Sequence, residues 1–235
     1  MPGSCQGSWW QRQRPLLAID NKLSVTKPII TLDRYVADMA SSPLAPWAQL
    51  EPWQITRDSE AVVRLLFESL DPSEFSVDGE IAVHRQAVVE PGAFLKGPLI
   101  LGAKVFVAAG AYLRGGCWVA ERCTLGPGAE LKSSFVFAGT KLAHFNFVGD
   151  SILGSDVNLE AGSVVCNYRN ERRDKEIRVR VGAALHGTGC DKFGAVIGDG
   201  CRIGANAVLA PGVVLEPGAV VQRVSLRDDE LEASP

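Results

Sequence analysis

The segment Leu142-Ala143-His144-Phe145-Asn146-Phe147-Val148-Gly149-Asp150, followed by Asn158 and by Cys166-Asn167-Tyr168, concentrates residues able to do chemistry. An imidazole exchanges a proton near neutral pH, and Asn amides with a Tyr hydroxyl supply hydrogen bonds to a polar ligand. The combination suits proton transfer at a polar substrate. A lone His in a β-protein is ordinarily structural. This one falls where a six-residue repeat is interrupted, which favours function.

The elements that must position these residues follow from that repeat. Aliphatic anchors recur every six positions from Val89 through Leu95, Leu101, Val107, Leu113, Val119, Leu125 and Leu131. Val77 and Val83 extend the series backwards, Phe137 and Ala143 forwards; the frame then shifts by two and resumes at Phe147, Leu153, Leu159 and Val165. A last run holds Ile197, Ile203, Leu209, Leu215 and Val221. A second, small slot lies four residues after each anchor, as at Ala93, Ala111, Cys117, Ser163 and Ala207, with Gly and Pro between. Two inward positions per hexad describe a short strand and a corner, and three hexads close one coil. The sequence therefore predicts an all-β chain, a parallel β-helix of about seven coils with a small N-terminal helical segment.

Three regions are expected: an N-terminal arm and helical cap over residues 1–74, the β-helix over 75–228 with a long loop at about 169–195, and a tail over 229–235. In the first, Asp58 or Ser59 caps a helix carrying Val62, Leu65, Leu66 and Leu70, and Asp33 to Ser41 forms a shorter one. Residues 1 to about 15 read as a loose arm, and Trp9, Trp10, Trp47 and Trp53 as packing or interface residues. The segment as a whole is expected to close one end of the rod. The loop begins with the charged run Asn167 to Glu176, and loops on rigid scaffolds are where function tends to sit.

Composition excludes several classes. A formal charge of −3, with no run of Lys or Arg, offers nothing to collect nucleic acid. No apolar stretch is long enough to span a bilayer, and Met1 to Trp10 lacks the features of a secretory signal, so a cytoplasmic protein is expected. The six cysteines, Cys5, Cys117, Cys123, Cys166, Cys190 and Cys201, have no CxxC spacing and read as free thiols. No metal site is expected.

From about Phe75 to Val221 the chain resembles the C-terminal acetyltransferase domain of the bifunctional enzyme that acetylates glucosamine-1-phosphate and then uridylylates it. The family's motif of His, two residues, Tyr, Leu or Val, Gly, Asp, then Asn, then Cys-Asn-Tyr reads here as His144, Phe147, Val148, Gly149, Asp150, Asn158 and Cys166-Asn167-Tyr168. Its sugar-phosphate Arg falls on Arg114, and its Glu-x-Lys pair on Glu130 and Lys132. The long loop, with Asp191 to Asp199, resembles the archaeal versions. The resemblance implies a left-handed coil, a homotrimer with sites between subunits, and acetyl-coenzyme A as co-substrate with no metal in the transfer.

It also implies roles. His144 is the general base for a sugar amine, with Glu130 fixing its tautomer. Arg114 and Lys132 hold the sugar phosphate, and Phe147, Asn158, Asn167 and Tyr168 line the sugar. A backbone N–H near Ala161, or an Asn amide, stabilises the oxyanion, and Ala205 takes the place of a Ser that helps hold the acetyl donor. The departures are Phe147 for Tyr, Glu160 for the Gly before Ala161, and no counterpart to an Arg from a later coil. The nucleotidyltransferase domain is not in this sequence, so uridylyl transfer is not expected of this chain.

The reading is a coenzyme A-dependent N-acetyltransferase acting on an amino-sugar phosphate or sugar nucleotide. The alternative is a non-catalytic β-helix that binds sugar phosphates or scaffolds a partner. A carbonic anhydrase on the same fold needs a close pair of His, which His84, His144 and His186 do not provide.

Overall fold

A computed structural model describes residues 27–231; the expectations for residues 1 to 15, Cys5, Trp9 and Trp10 lie outside them. Its main body is a parallel β-solenoid with three faces. The first face runs from Ile81–His84 through Leu99–Leu101, Cys117–Val119, Phe135–Val136, Ile152–Leu153 and Ala195–Ile197 to Val213–Leu215. Phe75–Asp78 pairs antiparallel with Ile81–His84, which makes this sheet eight-stranded. The second face, Val88–Val89 to Val220–Val221, and the third, Phe94–Leu95 to Leu226–Arg227, have seven strands each.

One aliphatic ladder fills the axis: Leu101, Val107, Leu113, Val119, Leu125, Leu131, Val136, Leu142, Val148, Leu153, Leu159, Val165, Ile197, Ile203 and Leu209 are each at most 1% exposed. Each fully buried side chain contributes at most roughly 1.5–3 kcal/mol. The ladder corrects the sequence reading at three points. Val77 belongs to the antiparallel strand and is 55% exposed. The inward residues are Val136, Leu142 and Val148 rather than Phe137, Ala143 and Phe147. The two-residue slip is really two one-residue deletions, between Leu131 and Val136 and between Val148 and Leu153, both at the corner joining the third face to the first. Counting apolar residues alone could not separate Phe147 from Val148, because both suit a strand. His144 therefore lies on a corner of ordinary length.

The N-terminal segment lies along the first face rather than over an end. Three 3-10 turns, Leu32–Arg34, Met39–Ser41 and Ala45–Trp47, replace the short helix expected from Asp33. Helix α1 (Pro52–Arg57) was not signalled by the pattern, and α2 (Ser59–Phe67) starts where Asp58 and Ser59 predict. Their buried residues, Trp47 and Trp53 included, pack on the outward side chains Ala82, Ile100, Trp118, Phe135, Ile152 and Val196. First-face strands are apolar on both sides for this reason.

α2 is seated on Gly115-Gly116. Ser59 Oγ donates to the Gly115 carbonyl at 3.0 Å, and a Cβ on Gly116 (φ +83°) would come within 2.5 Å of Glu60 N. Gly116→Ala is expected to lower stability by about 1–3 kcal/mol and to loosen residues 52–67, read by urea unfolding and hydrogen exchange. Wild-type protection there would show that the seat tolerates the methyl.

The excursion between Val164–Val165 and Ala195–Ile197 leaves from the same corner and contains an antiparallel hairpin, Arg178–Val181 with Ala184–Gly187. Arg169, 6% exposed at its side chain, ties it to the last coil through Asp228 at 2.6 and 2.7 Å. The Arg169 hydrogen bonds hold the Asp228 carboxyl below its ordinary value. A lowered folded-state pKa gives stabilisation that is full above the unfolded value of about 3.9 and is lost as pH falls through the folded one. Hydrogen-exchange protection of residues 169–181 is thus expected to hold between pH 5 and 8 and to drop below about pH 4. Unchanged protection in acid would remove this tie from the account.

Candidate active site

The irregular corner, between the third face and the first, collects charged side chains. Arg114, Lys132 and Gly149 are in register on the third face. Arg114 Nε and Nη2 donate to Glu130 Oε1 at 3.0 and 2.7 Å, with the guanidinium 5.5 Å from the Tyr112 ring. Lys132 Nζ donates to both oxygens of Asp150 at 3.1 and 2.9 Å. Asp150, 7% exposed at its side chain, also accepts from the Asn167 amide. Ser134 and Ser151 serve the backbone of the shortened turns: Ser134 Oγ accepts from Ser151 N at 3.1 Å, and Ser151 Oγ from Ala195 N at 3.0 Å. Asp150 was quoted in the motif but given no role. The sequence offered only the Gly149-Asp150 dipeptide as a turn signal, and the left-handed backbone (φ 48°) that makes the corner shows in the structure alone.

Beside this corner is a cleft of about 720 Å³ lined by Arg57, Ser59 and Arg64 on one side, Lys132 and Asp150 on the floor, and Lys192 on the other. The N-terminal segment and the loop after the hairpin thus wall a space that the repeat alone would leave open.

His144 lies at the opposite edge of the third face, on the corner coming from the second. The third-face strand between the two corners is three residues long, roughly 10 Å at about 3.3 Å per residue. His144 is exposed, and its imidazole has no hydrogen-bond partner among the described residues. Its corner is continued coil by coil: Gly162 N donates to His144 O at 2.9 Å, Asn206 N to Ala161 O at 3.0 Å and Val224 N to Ala205 O at 2.9 Å. His144, Ala161 and Ala205 therefore form one column, in which two small side chains leave the imidazole open.

The amides of that column differ. Ala109 N is bonded by Glu90 at 2.9 Å, and Ala205 N by Glu160 at 2.9 Å. The position that would serve Ala161 is Ala143, and the Ala161 N–H has no acceptor among the described residues. Glu160 in turn pairs with Arg223 at 2.8 and 2.9 Å, and that pair with the Ala205 amide holds its carboxyl below the usual range.

The expected residues are thus distributed. His144, Ala161 and Ala205 share one corner; Lys132 and Asn167 meet at the other, with Arg114 and Glu130 beside them. Phe147 faces outward next to Glu130 in register. Asn158 is on the second face, between Lys141 and Arg202. Tyr168 is 38% exposed at the start of the excursion, with Lys175 Nζ 5.2 Å from its ring. Glu130 orients Arg114 within the chain rather than His144. Two of the described thiols are shielded: burial pushes Cys117 up to about 11 and Cys123 to about 12. Among the described residues, no group of three or more His, Cys, Asp or Glu could hold a metal ion, and no helix is long and apolar enough to cross a membrane.

Residues 194–223 match the bacterial transferase hexapeptide (six repeats) family. The bifunctional sugar-1-phosphate nucleotidylyltransferase/acetyltransferase of Sulfurisphaera tokodaii is 32% identical over 183 residues, covering 74% of this chain and 45% of that protein. The bifunctional protein GlmU of Carboxydothermus hydrogenoformans is 26% identical over 207 residues, covering 74% and 42%. The chain spans less than half the length of these relatives, and the alignments fall on their acetyltransferase part. Among solved structures, the acetyltransferase domain of PglB from Neisseria gonorrhoeae matches at 14% identity and a TM-score of 0.34, over 73% of this chain and 62% of that one.

Proposed function

We propose that this hexapeptide-repeat chain is a coenzyme A-dependent N-acyltransferase whose acceptor is an amino-sugar phosphate or sugar nucleotide. The observation that carries the reading is the His144 corner. An exposed imidazole stands next to a backbone N–H, at Ala161, that has no acceptor among the described residues. Base and oxyanion donor are the two groups acyl transfer to an amine requires.

In this reading His144 takes a proton from the acceptor ammonium, and the amine attacks the thioester carbonyl. The C–N bond forms, the Ala161 N–H steadies the developing oxyanion, and the C–S bond breaks. The ammonium proton passes from His144 to solvent, and His144 then takes the second N–H proton from the tetrahedral adduct and gives it to the departing thiolate, leaving an amide, free coenzyme A and one released proton. The acceptor's phosphate lies at Arg114, whose Nη1 donors remain available beside the Glu130 pair, and near Lys132. Asn158, Asn167, Tyr168 and the ring of Phe147 contact the sugar, and Ala205 leaves room for the acyl donor. No metal takes part.

Two corners roughly 10 Å apart at about 3.3 Å per residue do not close on a small sugar within one chain. A homotrimer of left-handed coils, with the third face of one copy meeting the His144 corner of the next, completes the site. In support, the first face is covered while the other two expose Val88 (55%), Phe94 (65%), Val220 (63%) and Leu226 (64%).

A second reading, a silent sugar-phosphate-binding β-helix, is favoured by Glu160, whose carboxylate occupies the Ala205 amide beside the proposed donor site. Calorimetry with acetyl-coenzyme A and glucosamine-1-phosphate, separately and together, distinguishes the two. Binding of both is expected; binding of the sugar phosphate alone would favour the silent reading, and binding of neither would discard both.

A further inference from the structure

The turn that carries His144 is built differently from those of the coils immediately before and after it. Its left-handed position holds glycine at Gly92, Gly110, Gly128 and Gly162 and the non-glycine residues Asn206 (φ 55°) and Val224 (φ 54°) in the last coils; here it is the bulky Phe145 at φ 51°. A non-glycine residue resists that conformation. The Phe145 ring lies back over Gly128, where an added Cβ would come within 2.5 Å of it.

The next position is the small inward slot, occupied by Ala93, Ala111, Ala129 and Ala207 in other coils and by Asn146 here. Asn146 is 2% exposed. Its amide nitrogen donates to Glu160 O at 2.8 Å and to Ser163 Oγ at 2.9 Å, and Ser163 Oγ donates to Glu160 O at 2.9 Å. The backbone of Asn146 reaches the other way, its carbonyl accepting from Glu130 N at 2.7 Å. Its Oδ1 is buried with no hydrogen-bond partner, a cost an alanine would avoid.

We infer that Asn146 is a positioning residue: its amide clamps the Phe145 turn to the following coil and so fixes the direction in which His144 is presented. The inference rests on the acyltransferase reading for its kinetic consequence but not for its structural one. A polar group retained at a hydrogen-bonding cost, in a slot that alanine fills in most coils and Ser163 in the next, is explained by the bonds it makes to that next coil beside a bulky residue in the left-handed turn.

Asn146→Ala installs the residue that the same slot carries elsewhere, so folding is expected to persist. The variant is expected to lose about 10- to 100-fold in kcat, with KM for the acyl donor within about twofold, because a small misplacement of the base costs rate without changing binding. Asn146→Ser retains one donor and is expected to fall between. Independently of activity, the His144 Cε1–H NMR signal is expected to shift or broaden in Asn146→Ala and to move part of the way back in Asn146→Ser. Wild-type kcat and an unmoved His144 signal in both variants would overturn the inference. If the wild-type protein transfers no acyl group, the acyltransferase reading fails while the NMR comparison still decides this one: a moved signal supports the clamp, an unmoved one refutes it.

Discussion

Replacing His144 by alanine is expected to lower kcat for the proposed acyl transfer by about a hundredfold or more while the KM values stay within a few-fold. The expectation follows from position. The imidazole is exposed, has no hydrogen-bond partner among the described residues and supports no packing, so its loss leaves the fold intact. In the proposed mechanism its removal takes away the proton acceptor and nothing that binds either substrate directly. A thermal midpoint unchanged within a few degrees, measured alongside the kinetics, separates loss of the base from loss of structure. Wild-type turnover in His144→Ala would move the proton-accepting role elsewhere.

The largest stability effect is expected at Asp150. This carboxylate, 7% exposed at its side chain, neutralises Lys132, which is 18% exposed, and receives the Asn167 amide. Asp150→Ala leaves an ammonium and an amide without their acceptor at a shortened corner. Breaking such a pair costs about 3–5 kcal/mol when fully buried, and the residual exposure of Lys132 puts the expected loss near the lower end. The alanine must also adopt the left-handed backbone that Asp tolerates better. Asp150→Asn, which keeps an acceptor oxygen and the backbone preference, is expected to lose less. Urea unfolding of the two variants checks the order; a loss below about 1 kcal/mol in Asp150→Ala would show that solvent replaces the carboxylate.

The same corner shows what the sequence could and could not convey. Six-residue spacing identified the solenoid because inward aliphatics must stack coil on coil, and each of the ladder residues from Leu101 to Leu131 lies at the axis as expected. Where two adjacent apolar residues competed, at Val136-Phe137 and Phe147-Val148, hydrophobicity could not say which faced inward, so two one-residue deletions read as one slip near His144. The weight that slip gave His144 belongs to the two shortened corners, where Ser133 (φ 48°) and Asp150 (φ 48°) take left-handed backbone. His144 rests instead on exposure and on the open amide at Ala161. The cover along the first face was illegible for a different reason. An amphipathic helix shows that it has an apolar side but not which surface receives it. The outward Ile100, Trp118 and Ile152 were the available sign, since a solvated face would not carry them.

Pairing of the polar residues was less legible still. The resemblance gave Glu130 to His144 and Arg114 and Lys132 to a sugar phosphate, with no pairing among them. The structure pairs Arg114 with Glu130 and Lys132 with Asp150, because strand register puts these side chains on neighbouring rungs, and register is a three-dimensional property.

In the proposed function this chain transfers an acyl group to a sugar amine. Incubating it with acetyl-coenzyme A and glucosamine-1-phosphate, and following the sugar by mass spectrometry with thiol release in parallel, tests that claim most directly. An acetylated sugar phosphate and one thiol released per sugar modified are expected, both abolished in His144→Ala. Thiol release without modified sugar, or neither product across a panel of amino-sugar phosphates and sugar nucleotides, would contradict it.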